Sequence, residues 1–215
     1  MPVSRPNPDV DAVIFDFAGV LTSSPGEAMA AGMAGFEVDV MTFMSIAIGP
    51  LHEDGDHPWH QLERGAITMD QYLAATEELW RAEGFDSFPA PPASHDLMAT
   101  LRPIPEMIDA ARSVRDAGYR TAILTNNVRE WGSWRSAWDA DNLVDVVVDS
   151  SEVGMRKPNS NIFELTLARL GSTAGRTLFL DDFPWNIAGA DAFGLQTMHV
   201  TDPVADAATL LERLL

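Results

Sequence analysis

The chain has 215 residues, enough for one core domain or for a core that carries a smaller inserted one. Its 46% apolar and 21% charged composition is that of an ordinary soluble globular protein, and the absence of cysteine excludes disulfides and thiolate metal sites. A formal net charge of −18, with one lysine against thirteen arginines, argues against nucleic acid or an anionic membrane as partner, so any phosphate substrate needs a local cation.

In chain order, Met1–Asp9 contains three prolines and no apolar stretch of the kind a signal peptide requires. No run approaches the roughly 20 apolar residues that span a bilayer. A cytoplasmic location is therefore expected. The first buried strand is expected at Ala12–Phe17. From about Ser23 to Ala99 the texture turns helical, notably in Glu27–Met44 and Met69–Glu83, and closes on the proline-rich Phe88–Pro92. Pro105–Ala117 then shows helical apolar spacing at Met107, Ile108, Ala111 and Val114, with Gly118 placed to end the helix. Strands follow at Thr121–Leu124, Val144–Val148, Thr177–Leu180 and Gln196–Val200. A helix at Asn161–Leu170, ended by Gly171, lies among them.

This alternation implies βαβ units on a parallel sheet. The fold class expected is a three-layer, Rossmann-like α/β sandwich with an inserted α-helical cap. Residues 1–22 and 100–215 form the core on this reading, and residues 23–99 form the insert.

Open α/β sheets bind ligands beyond the carboxyl ends of their strands. The polar residues there are Asp16 after strand one, Thr125-Asn126-Asn127 after strand two, Arg156-Lys157-Pro158 beyond strand three, and Asp181-Asp182 with Asn186 after strand four. A carboxylate can attack a phosphoryl group if a divalent cation cancels the repulsion between anions, and Asp16 and Asp182 suit an oxygen-seeking Mg²⁺. Thr125 and Asn126 can donate hydrogen bonds to the transferring group, and Lys157 adds a point charge. Singly each is weak, since an Asp that ends a strand is usually a turn or cap residue. Their placement at successive strand ends is what gives them joint weight.

The segments VIFDFAGVLT, ILTNN, GMRKPNSNIFELTLARLG and LFLDDFPWNIAGADAFG resemble the four ordered motifs of the haloacid dehalogenase superfamily. The insert resembles its C1 cap, and LERGAITMDQYLAA is similar to caps in relatives of the N-terminal phosphatase domain of soluble epoxide hydrolase. The resemblance implies a hydrolase with Asp16 as nucleophile and Mg²⁺ held by Asp16, the backbone carbonyl of Ala18 and Asp182. Asp181 and Asn186 support them, while Thr125, Asn126 and Lys157 hold the phosphoryl group of a small phosphorylated metabolite. The sequence leaves monomer and homodimer open.

Ala18 departs from the pattern. Phosphatases of the superfamily place there the Asp that protonates the leaving group and activates water on the aspartyl-phosphate. Phosphonoacetaldehyde hydrolases also carry Ala, but they need a cap lysine, and residues 23–99 contain none. 2-Haloacid dehalogenases need an early cap arginine, which is missing between Asp16 and Glu63, and they lack an Asp-Asp pair. A phosphatase-like enzyme with a reduced or relocated acid is the expectation. The alternatives are dehalogenase-type hydrolysis and a non-enzymatic protein that binds a phospho-ligand or a partner. Two features stay open. His52–His60 is a solvated acidic loop whose histidines cap helices, a chance metal-binding tract, or a source of the missing acid. Trp131, Trp134 and Trp138 form either core packing or a partner face.

Overall fold

The computed structural model describes residues 7–25, 38–89 and 97–215. Five parallel strands form one sheet: β1 (Ala12–Phe15), β2 (Arg120–Thr125), β3 (Val146–Asp149), β4 (Thr177–Asp181) and β5 (Gln196–His199), in the order β3-β2-β1-β4-β5. Among the described residues the α-helices are α1 (Val40–Ala47), α2 (Pro58–Glu63), α3 (Met69–Ala82), α4 (Pro105–Asp116), α5 (Trp134–Ala137), α6 (Ala140–Leu143), α7 (Ser150–Val153), α8 (Ser160–Leu170), α9 (Pro184–Phe193) and α10 (Pro203–Leu214). Short 3₁₀ turns occur at Leu97–Thr100, Arg129–Trp131 and Ala174–Arg176.

The strand residues alternate between two apolar layers, as a period of two requires. Val13 and Phe15 of β1 pack with Met107, Ala110, Ala111 and Val114 of α4 and with Ala207, Leu210 and Leu214 of α10. Ala12 and Ile14 face the opposite way, onto Ile162, Phe163, Leu167 and Leu170 of α8 and Ala190 of α9. Burial on both faces explains why the inner strands read as unbroken apolar runs. The expected three-layer α/β sandwich is what forms. The edge strand β5, Gln-Thr-Met-His, is only partly covered.

Two strand boundaries shift for local reasons. β1 stops at Phe15, two residues short of its apolar run, because the Leu21 and Thr22 N–H groups both donate to the Phe17 carbonyl and turn the chain. Val144 leaves the third strand because its N–H closes α6 on the Ala140 carbonyl. Gly118 (φ 91) and Gly171 (φ 64) do follow α4 and α8 in the left-handed region that glycine tolerates. The expected helix Glu27–Met44 is not continuous: residues 26–37 lie outside the described ones, and Asp39 is extended and caps α1 by accepting from Thr42 N–H. Its helix runs on to Ala47. α3 begins with a reciprocal cap, Gln71 N–H to Thr68 Oγ1 (3.3 Å) and Thr68 N–H to Gln71 Oε1 (2.9 Å). Phe43 and Ile46 of α1, Trp80 of α3 and Phe88 beyond it form a third apolar cluster, whereas Leu62, Met69 and Tyr72 belong to the first; half-buried Trp59 and Leu73 pack against both.

The tryptophan stripe is core. Trp131 and Trp134 are buried, Phe17 packs on Trp134 (4.5 Å between centroids) and Trp138 (5.4 Å), and Trp131 meets Trp59 (6.1 Å). The partner-face alternative for these residues is set aside. No described helix is long and apolar enough to cross a membrane.

Candidate active site

β2 and β3 lie on one side of β1, and β4 and β5 on the other, so the chain reverses its direction of build-up at the carboxyl end of β1. Asp16 leaves the sheet at that point. Its backbone N–H still donates to the Leu180 carbonyl (2.8 Å), and its Oδ1 accepts from Phe17 N–H (2.7 Å). The following loop closes through Gly19 N–H to the Thr22 carbonyl (2.9 Å), and Ala18 pairs with Thr22. Gly19 has φ 88, and a Cβ there would fall 2.2 Å from Asp182 Oδ2. Only glycine lets the β1 loop approach the β4 carboxylate this closely.

Lys157 is the hub of the crevice. Its Nζ lies 2.8 Å from Asp16 Oδ1 and 2.7 Å from Asp181 Oδ2, and it is 1% exposed. Asn126 fixes its backbone from both sides: Lys157 N–H donates to Asn126 Oδ1 (2.9 Å), and Asn126 Nδ2 donates to the Lys157 carbonyl (3.1 Å). Asn186 Nδ2 bridges the two Asp181 oxygens at 3.0 and 3.1 Å. Buried Thr125 directs its hydroxyl to the Asn126 carbonyl (3.4 Å). The sequence-predicted residues therefore converge, but Asn126 spends its side chain on the Lys157 backbone.

Three carboxylates stand against one ammonium. Oxygens of Asp16, Asp181 and Asp182 lie within 4.8 Å of one another. Burial, only partly offset by Lys157, holds the Asp16 carboxyl well above the usual carboxylate range, with Asp181 and Asp182 adding to the rise. Burial and then Asp181 push Asp182 up to about 7. For Lys157, burial opposes the charge, but Asp16 and Asp181 outweigh it and keep the ammonium protonated. Asp182 Oδ1 and Asn186 Oδ1 are buried with no hydrogen-bond partner. Crowded, underused oxygen acceptors of this kind could hold a hard divalent cation.

A family profile described as haloacid dehalogenase-like hydrolase matches residues 10–194. The chain belongs to the haloacid dehalogenase-like hydrolases. It is 34% identical over 198 residues to mouse acyl-CoA dehydrogenase family member 10, covering 89% of this chain but only 18% of that protein. It is 28% identical to the sesquiterpene phosphatase astK of Aspergillus oryzae, over 68% of this chain and 74% of that one. Among solved structures, a predicted hydrolase of the same family from Porphyromonas gingivalis aligns with a TM-score of 0.67 at 25% identity, covering 95% and 98% of the two chains.

In this haloacid dehalogenase-like chain, several supporting residues escape a motif reading. Asp149 ends β3 directly beside Thr125 and accepts from Asn127 Nδ2 (2.8 Å), Trp134 Nε1 (3.2 Å) and Ser151 N–H (2.9 Å). Its place at a strand's carboxyl end was the available signal. His199 Nε2 lies 3.0 Å from the Asp182 carbonyl. The pairing of Glu63 with Arg156 gave no local signal, because the two meet across 93 residues of sequence: Arg156 Nε donates to Glu63 Oε2 at 2.6 Å.

Bonds from Arg156 to Glu53 and from Asn159 to Asp54 tie the His52–His60 segment to the core, so the segment is no merely solvated acidic loop. Arg156 Nη1 donates to the Glu53 carbonyl (2.6 Å), Asn159 Nδ2 to Asp54 Oδ2 (3.2 Å), and Ser150 Oγ to the Glu63 carbonyl (2.6 Å). Arg64 pairs with Asp54, and Arg81 with Glu77 on the outside of α3. His57 does cap a helix, accepting from Trp59 N–H (3.2 Å).

His60 is fully buried, its Nδ1 accepts from Gly55 N–H (2.9 Å), and its Nε2 has no partner. Burial first, and then the nearby Arg156, lower its pKa from 6.5 to about 4. A histidine whose folded pKa is depressed stabilises the fold fully above the unfolded value and loses that contribution as pH falls from 6.5 toward 4. Acidification across this window is expected to cost on the order of 2 kcal/mol through His60. Denaturant titrations at both ends of the window check this, since His60→Gln should show a shallower loss than the parent.

Proposed function

We propose that this chain is a Mg²⁺-dependent phosphatase-like hydrolase whose nucleophile is Asp16 and whose substrates are small phosphorylated metabolites with good leaving groups. One observation carries the reading: a buried Asp16–Lys157–Asp181 chain of ion pairs next to Asp182, whose Oδ1 lacks any partner. The residues fit a metal, which Asp16, Asp182 and the Ala18 carbonyl would hold. When bound, it would supply the positive charge that lets an anionic carboxylate approach an anionic phosphoryl group. A structurally similar family enzyme from Bacteroides thetaiotaomicron, at a TM-score of 0.58 and 19% identity, was solved with magnesium and inorganic phosphate, which is consistent with this reading.

The chain's own groups then divide the work. An Asp16 oxygen attacks phosphorus and forms an aspartyl-phosphate as the leaving oxygen departs. Lys157, charged and fixed by Asn126, receives the equatorial oxygens with the Thr125 hydroxyl. Asp181, held by Asn186, orients the ammonium. The Ala18 methyl can neither protonate the leaving group nor activate water, so leaving groups that depart as stable anions are favoured. We further propose the division into a core of 1–22 and 100–215 with 23–99 as the cap, supported by the third apolar cluster, whose buried members Phe43, Ile46, Ala47, Ile48, Trp80 and Phe88 all fall within 23–99.

The test is a panel of aryl, acyl and alkyl phosphates with and without Mg²⁺, run beside 2-haloacids. Aryl and acyl phosphates should turn over only with Mg²⁺, and alkyl phosphates barely. Metal-independent halide release would replace this reading with the dehalogenase one. A folded chain inert to every substrate would leave a phospho-ligand-binding protein.

A further inference from the structure

We propose that Arg156 is a positioning residue for the Lys157 ammonium, locked in place by Glu63 from the 53–64 segment. This rests on the reading above of Lys157 as the cation that meets the transferring group. The two side chains are almost completely buried, at 2% and 9% exposure, and form a single 2.6 Å contact between elements 93 residues apart. Arg156 immediately precedes Lys157, and its second bond, to the Glu53 carbonyl (2.6 Å), points the same way. Asn159, two residues after Lys157, adds its bond to Asp54.

The loop that bears the ammonium is thus gripped from two directions. Asn126, after β2, holds the Lys157 backbone from the sheet side. Glu63 at the end of α2, and Glu53 and Asp54 in the loop before it, hold its neighbours from the 53–64 segment. A buried ion pair is a poor source of net stability, because desolvating two charges offsets their attraction. Its geometric effect is different: a planar guanidinium with two fixed acceptors leaves the adjacent residue little freedom. On this account the 53–64 segment sets the position of the reacting ammonium without contacting substrate. Glu63 and Arg156 therefore act through Lys157.

The chain's single lysine makes a direct test possible. Acylation by the N-hydroxysuccinimide ester of acetic acid, read on the Lys157 peptide, measures how well the ammonium is held, independently of catalysis. The parent, Glu63→Gln, Arg156→Met and the double variant Glu63→Met/Arg156→Met are compared at one pH, with melting temperatures alongside. Labelling of Lys157 should accelerate about tenfold or more in every variant, as a modest gain in local opening would produce. Turnover of 4-nitrophenyl phosphate should fall roughly 10²-fold in kcat with KM little changed, as for misplacement of a reacting group. The double variant decides the matter if the single ones fold poorly. With two apolar side chains in the same volume, it should melt near or above the parent yet stay fast-labelling and slow in turnover. Parental labelling and parental kcat in a folded double variant would overturn the proposal and leave the pair a packing feature. If the parent hydrolyses no phosphate, the assignment of function fails, while the labelling contrast still judges Arg156.

Discussion

Ala18→Asp is expected to raise turnover of alkyl phosphates by about 10²–10⁴-fold, the usual contribution of a general acid–base group. The loop that receives the new carboxyl is held by main-chain bonds, Gly19 N–H to the Thr22 carbonyl and Leu21 N–H to the Phe17 carbonyl, which the substitution does not touch. Ala18 is only half-buried, so the added carboxyl has room to leave the apolar layer. The new carboxylic acid would give its proton to the leaving alkoxide first, and the carboxylate left behind would accept one from water afterwards. Aryl phosphates need little help with departure, so their rate should change far less in the step that forms the aspartyl-phosphate. The ratio of kcat/KM for an alkyl and an aryl phosphate, in parent and variant, measures this. An unchanged ratio would mean that another group already supplies the proton.

Asp16→Asn is expected to abolish turnover, a loss of roughly 10⁴-fold or more, because an amide neither attacks phosphorus nor balances a cation. The stability effect should have the opposite sign. Asp16 is buried beside two further carboxylates, and its carboxyl is held well above its normal range by that burial and crowding. Removing one negative charge relieves the crowding, while Lys157 keeps Asp181 at 2.7 Å. At neutral pH without divalent cation, the variant should melt at or above the parent. Added Mg²⁺ should raise the melting temperature of the parent more than that of the variant, since a ligand of the folded state stabilises only where its site survives. A variant that loses both activity and stability would point to a structural role for Asp16.

The parts of this architecture that were readable in the sequence are those governed by local pattern. Buried parallel strands announce themselves as apolar runs, and Gly118 and Gly171 mark helix ends by a backbone conformation that other residues avoid. Strand ends then place Asp16, Thr125 and Asp181-Asp182 around one crevice, whereas Lys157 reaches it from the turn that follows α7. What escaped depends on contacts between distant segments. No local rule pairs Glu63 with Arg156 or directs both the oxygen and the nitrogen of the Asn126 side-chain amide onto the Lys157 backbone. The break at Asp39 escaped for another reason, since a helical texture continues through it while its side chain caps a new helix. His60 likewise looked like one more titratable group in an acidic loop until its burial became visible.

The central claim is that Asp16 becomes covalently phosphorylated, and intact-mass analysis of acid-quenched protein after mixing with Mg²⁺ and an aryl phosphate tests it most directly. With water activation weakened by Ala18, the parent should carry the mass of one phosphoryl group, mapped to Asp16 and absent in Asp16→Asn. A parent that turns over substrate with no such adduct, or that gains an adduct only from a 2-haloacid without metal, would contradict it.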